Sequence, residues 1–161
     1  HHMMYRCYDE KTQLKSSSYI GCTVDKRWHN FQSFAEWYEN NYKSHMQDWQ
    51  LDKDILIKGN KIYSPETCCF VPSDINSLFI RKQNHRGKYP VGVYYNRKDK
   101  KFVAQLAATE FYKRFDTPEE AFQAYKIEKE KYIKEMADKW RPYIIKACYE
   151  AMYNYQVEIT D

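Results

Sequence analysis

The segment that most constrains this chain is "DTPEEAFQAYK", Asp116 to Lys126. Asp116 or Thr117 is placed to cap a helix, and Pro118 has its φ already set for a first helical turn. Glu119 and Glu120 face the positive end of the helix dipole. Ala121, Tyr125, Tyr132 and Met136 then trace one stripe down the helix. Three short runs rich in aromatic and β-branched residues precede it: Val91–Tyr95, Phe102–Ala107 and Glu110–Phe115. The basic turn "NRKDK" joins the first two. The order predicts a three-stranded antiparallel sheet whose apolar face the helix covers. Alternation assigns Val91, Val93, Phe102, Ala104, Leu106, Tyr112 and Phe115 to the helix side. It assigns Tyr94, Val103, Gln105, Phe111 and Lys113 to the outer side, edged by Arg97, Lys98, Lys100 and Lys101.

Charge makes that outer side the first candidate for a binding surface. Between Arg81 and Phe115 stand ten basic residues and two acids, a surplus of eight. The rest of the chain carries 16 basic and 20 acidic residues, so the net +4 conceals an asymmetry. A basic block in an otherwise acidic chain is the footprint expected of a phosphate-backbone contact. A thin sheet also fits a major groove, where side chains reach phosphates and base edges. The candidate nucleic-acid-binding residues are therefore Arg81, Lys82, Arg86, Lys88, Tyr94, Arg97, Lys98, Lys100, Lys101, Gln105, Lys113 and Arg114. The competing reading packs the outer face, with Val103 and Phe111, against the other half of the chain.

The N-terminal half is organised differently. "MMYRCYDEKT" reads as a short helix, and Phe31, Phe34, Ala35, Tyr38 and Tyr42 fall on one helical face. Leu51, Ile55 and Ile57 against Ile62 suggest a hairpin around "KGNK". "CCFV" reads as a second short strand and "PSDINSLF" as a short helix. "IRKQNHRGKYP" is the linker, dividing the chain into a module at 3–80, a basic connection at 81–90 and a second module at 91–161. Pro142 separates the long helix from a final one carrying Ile144, Cys148, Ala151 and Tyr155.

Five cysteines without framework spacing point to buried reduced thiols, with a zinc site the lesser alternative. No run approaches the ~20 apolar residues a membrane helix needs, and no secretory leader is visible, so the expectation is a cytoplasmic protein of a bacterial host cell. His1 and His2 resemble the end of an expression tag and are left out of the chemistry.

Two resemblances extend this reading. "VGVYYNRKDKKFVAQLA…FYKRFDTPEEAFQAYK" resembles the sheet-then-helix DNA-binding fold of the plant APETALA/ethylene-response-factor type, forms of which occur in phage and bacterial endonucleases and integrases. It covers about residues 89–131, with a shorter second hairpin and with Lys113 where glycine is common. Upstream, "RCYDE", "GCTV" and the aromatic run of residues 28–38, followed by "LDKDILIKGNKIYSPETCCFVPSDINSLF", are similar to phage-type HNH-related proteins that often carry this same C-terminal module. That resemblance implies a hairpin and helix holding one divalent metal, with a histidine base activating water. "LDKD" stands where such nucleases typically carry a His-His or Asp-His pair, which makes Asp52 and Asp54 the candidate Mg²⁺ ligands and places Lys53 near the base. Asn60 sits in the turn, and Asn76 matches the helix position of the motif. The implied catalytic set is Asp52, Asp54 and Asn76, without a histidine inside the motif. "LDKD" as a plain charged strand start is the other reading.

The expected fold is thus α+β: an HNH-like hairpin and helix module, then a three-stranded antiparallel sheet packed on a helix, then a C-terminal helix. The expected partner is double-stranded DNA in a phage or mobile-element setting, with Mg²⁺ as cofactor if the chain cleaves. A second class stays open: a non-catalytic regulator, or an anti-CRISPR-like inhibitor of a host nucleic-acid-targeting defence nuclease.

Overall fold

A computed structural model of the chain describes residues 2–79 and 87–161. The fold is mixed α+β and divides into two compact units. One comprises His1–Ile80 with Trp140–Met152, the other Arg81–Lys139 with Tyr153–Asp161. No described helix is long and apolar enough to cross a membrane. Arg81, Lys82 and Arg86 of the basic connection lie outside the described residues.

The first unit begins with two short helices, α1 (His2–Tyr8) and α2 (Glu10–Lys15). Asp9 breaks the single helix expected there, because its carboxylate accepts the Thr12 N–H at 2.8 Å and so caps α2. Strand β1 (Thr23–Val24) follows, and then helix α3 (Phe31–Asn41), capped by Asn30. The aromatic stripe of α3 differs from the expected one. Phe31 is 69% exposed, whereas Trp37 joins Trp28 and Phe34 in a ring cluster with centroids 4.8 to 6.3 Å apart.

The expected hairpin around "KGNK" does not form. Strand β2 (Gln50–Asp52) instead pairs antiparallel with β4 (Cys69–Val71), and β3 (Ile62–Tyr63) pairs parallel with β1. The intervening residues 53–59 are bends and turns, because Asp52 captures two backbone N–H groups and ends the strand (below). Helix α4 (Ser73–Phe79) comes directly after β4, so β2, β4 and α4 make an antiparallel pair followed by a helix. All five cysteines are free and buried, as expected. Burial pushes the Cys7 thiol up to about 11 and the Cys68 thiol up to about 12.

The second unit matches its expected architecture. Strands β5 (Val93–Asn96), β6 (Lys101–Gln105) and β7 (Tyr112–Phe115) form an antiparallel sheet in that order. Helix α5 runs from Pro118 to Trp140. Thr117 is its cap: Thr117 Oγ1 accepts the Glu120 N–H at 3.2 Å, and Glu120 Oε2 accepts the Thr117 N–H at 3.3 Å. The core joins Ala104 and Leu106 of the β6 segment to Ala121, Phe122 and Tyr125 of α5 and to Val157 near the C-terminus. Gly92 sets the closeness of that packing. Its φ is +73°, and a Cβ there would lie 2.1 Å from the Tyr125 ring. Helix α6 (Lys146–Tyr153) belongs up to Met152 to the first unit, not to a module at 91–161, with Cys148 and Met152 buried; the chain leaves the helix before Tyr155.

Candidate nucleic-acid interface

The register of the sheet decides which side chains share its outer face. Val103 pairs with Tyr94 on one side and Arg114 on the other, Gln105 pairs with Tyr112, and Asn96 with Lys101. Directly opposed residues point the same way, so the outer face carries Tyr94, Asn96, Lys101, Val103, Gln105, Tyr112 and Arg114. This corrects the third strand. Lys113 pairs with Ala104 and therefore lies on the helix side, where its ammonium stands 5.5 Å from the Phe111 ring centre. Phe111 packs against the helix-side core. Tyr112, expected inside, is 41% exposed. Phe115 lies on the helix side as expected, paired with Phe102; the exchange is confined to residues 111–113, where the short "AAT" connection leaves the phase of the strand unset.

Tyr94 and Tyr112 hydrogen-bond each other across the central strand, and Val103 in its middle is fully buried. Tyr112 also hydrogen-bonds Arg114. Hydrogen bonding to Arg114 first, and to Tyr94 next, holds the Tyr112 phenol below its ordinary value. The Arg114 guanidinium stands 5.5 Å from the Tyr112 ring centre, and its Nε is ion-paired with Asp99 at 3.2 Å.

The turn between β5 and β6 is rigidly built. Asn96 Oδ1 accepts the N–H groups of Lys98 and Asp99 at 3.0 and 3.3 Å, and Asn96 Nδ2 donates to Asp99 at 3.0 Å. Lys100 takes the left-handed conformation that closes such a turn, with φ 54°. Arg97, Lys98 and Lys100 are exposed at its tip. Lys101, by contrast, is ion-paired with Asp116. Gln105 is exposed on the outer face, and Lys88 lies before the sheet with its ammonium 5.2 Å from the Tyr89 ring centre.

The residues of the nuclease-like motif meet different fates. Asp52 Oδ1 accepts the N–H groups of Asp54 and Ile55, each at 2.8 Å. Burial first, and the neighbouring Asp54 charge second, push its carboxyl up to about 6. Asp54 is not on the strand with Asp52, as expected, but in the bend beyond it, where it pairs with the buried Lys53 ammonium at 3.2 Å. Lys53 also lies 5.7 Å from the Tyr63 ring centre. Asn60 holds the loop by donating to the Lys53 and Ile62 carbonyls at 2.6 and 2.7 Å. Asn76 donates to Gln50 at the start of β2. His29 contacts the Val24 carbonyl at 3.1 Å and His45 the Tyr143 carbonyl at 3.2 Å.

As arranged, Asp52 and Asp54 do not fit a shared Mg²⁺ ion. One carboxylate is turned onto backbone N–H groups, and the other carries a lysine ammonium where the cation would stand. Among the described residues, no group of three or more His, Cys, Asp or Glu side chains is disposed to hold a metal. No protein-family model matches the chain, and no curated protein or solved structure matches it.

Proposed function

We propose that this chain binds double-stranded DNA through the outer face of its β5–β6–β7 sheet and the basic turn at its edge. The observation that carries this reading is the exposure of Arg97, Lys98 and Lys100 on a turn fixed by Asn96, beside a face of Tyr94, Tyr112, Gln105 and Arg114. A rigid tip presents its cations to phosphates with no backbone left to order, and polar and aromatic groups behind them are placed for base edges. The reading is one of binding without cleavage. Its support is that Asp52, Lys53, Asn60 and Asn76 each serve a local contact within the fold.

Duplex binding across a salt series tests it. The expected result is an affinity that falls steeply with salt, and a slope reduced by about 3 when Arg97, Lys98 and Lys100 are replaced together by alanine. An unchanged slope overturns the sheet as the DNA surface. Incubation of plasmid with Mg²⁺ or Mn²⁺ should leave it intact; cleavage that is lost in Asp52→Ala would restore the nuclease reading.

A further inference from the structure

An acid within a phosphate-binding surface needs a reason, because it repels the ligand. Asp99 stands between Lys98 and Lys100 in the most basic turn of the chain. Its carboxylate turns back toward the sheet, where it accepts the Asn96 amide at 3.0 Å and is ion-paired with the Arg114 Nε at 3.2 Å. Arg114 is thereby held from behind by Asp99, and its guanidinium also stands against the Tyr112 ring, 5.5 Å from its centre. Two fixed contacts leave the other N–H donors of its five, mainly those of the terminal nitrogens, in a set orientation. The side chain remains 55% exposed, so those donors are open to a ligand.

We propose that Asp99 is a positioning residue that makes Arg114 a reader of base identity, while Arg97, Lys98 and Lys100 supply charge alone. This rests on the DNA reading above and divides its cations into two classes. A lysine on a flexible stem follows a phosphate wherever it lies, and carries no sequence information. A guanidinium whose Nε is pinned presents its terminal nitrogens as a fork. In the major groove, the base edge offering two acceptors to such a fork is guanine, through O6 and N7. Asp99 therefore trades general affinity for discrimination, and its removal has opposite effects on the two.

The experiment begins with selection from a random duplex library by the wild-type protein, which defines a preferred site. Binding of preferred and random duplexes is then compared at one salt concentration for wild type, Asp99→Asn, Arg114→Lys and Arg114→Ala. Wild type is expected to select a guanine at a fixed position. Asp99→Asn should bind random duplex more tightly, since one negative charge is gone, yet its preferred-to-random ratio should fall roughly tenfold. Arg114→Lys keeps the charge and should lose the ratio through weaker binding of the preferred duplex. A ratio unchanged in Asp99→Asn overturns the positioning role, whatever the affinity does. Equal loss on all duplexes in both Arg114 variants overturns the reader role and makes Arg114 a phosphate contact. Failure of the wild type to bind any duplex overturns the DNA reading itself, and this inference with it. Arg114→Lys provides the independent readout should Asp99→Asn alter the turn.

Discussion

Asp52 and Asp99 occupy comparable places, each at the close of a short strand or turn beside a lysine, yet the fold uses them in opposite ways. Asp52 turns inward and ends β2 by accepting two backbone N–H groups. Asp99 turns toward a side chain on the next strand but one and leaves that side chain exposed. Around Asp52 the polar groups are spent on one another: Lys53 on Asp54, Asn60 on two carbonyls, Asn76 on Gln50. Around Asp99 the contacts organise groups that still face outward. A charged motif is a site only when satisfying the fold leaves some of its donors or acceptors over.

The most severe way to break this contrast is from beneath the sheet. Gly92→Ala forces a methyl into the Tyr125 ring at a positive φ. It should destabilise the protein by about 3 kcal/mol, measured by urea unfolding, and weaken DNA binding only in proportion to the unfolded fraction. Full retention of stability would show that the sheet and helix can part at this point.

A smaller effect sharpens the Asp52 side. Asp52→Ala leaves two backbone N–H groups without their acceptor and should cost about 2 kcal/mol, whereas Asp52→Asn keeps an acceptor oxygen. The pH dependence separates cap from charge. The folded carboxyl, pushed up to about 6, holds its proton more tightly than an unfolded aspartate near 3.9. Wild-type stability should therefore decline as pH rises from about 4 through 6, while Asp52→Asn should not show that decline. Thermal melts of the two proteins at pH 4.5 and 7.5 check it. A wild-type gain across this interval, relative to the variant, would reverse the assignment.

The smallest effect is expected at the turn tip. Lys98→Ala should change unfolding stability by less than about 0.5 kcal/mol, since the side chain projects from a turn that Asn96 holds through the backbone. A larger loss would mean that the cation serves the fold, as Lys53 does.

Much of the second unit was legible in advance. The cap and proline before Glu119 named the helix start, and the alternation in β5 and β6 named their faces correctly. In the third strand Phe115 lies on its expected side, but "AAT" carries no strong turn signal, so nothing local fixed whether Tyr112 or Lys113 faced the helix. In the first unit the failure was of another kind. "ILIKGNK" has the composition of a hairpin, but its partners lie far away in sequence: β3 pairs with β1 and β2 with β4. Local propensity cannot choose among distant partners for strands of two or three residues.

The sequence by itself determined the sheet-and-helix architecture of the second unit, the concentration of positive charge upon it, and five reduced thiols. These follow from periodicity, caps and composition, which act over a few residues. Only the tertiary structure decided that Asp52 closes a strand, that Lys53 is buried against Asp54, and that Arg114 rather than Lys113 meets the outside. Those outcomes depend on which donors and acceptors are brought within hydrogen-bond reach, and chain folding, rather than residue type, sets that.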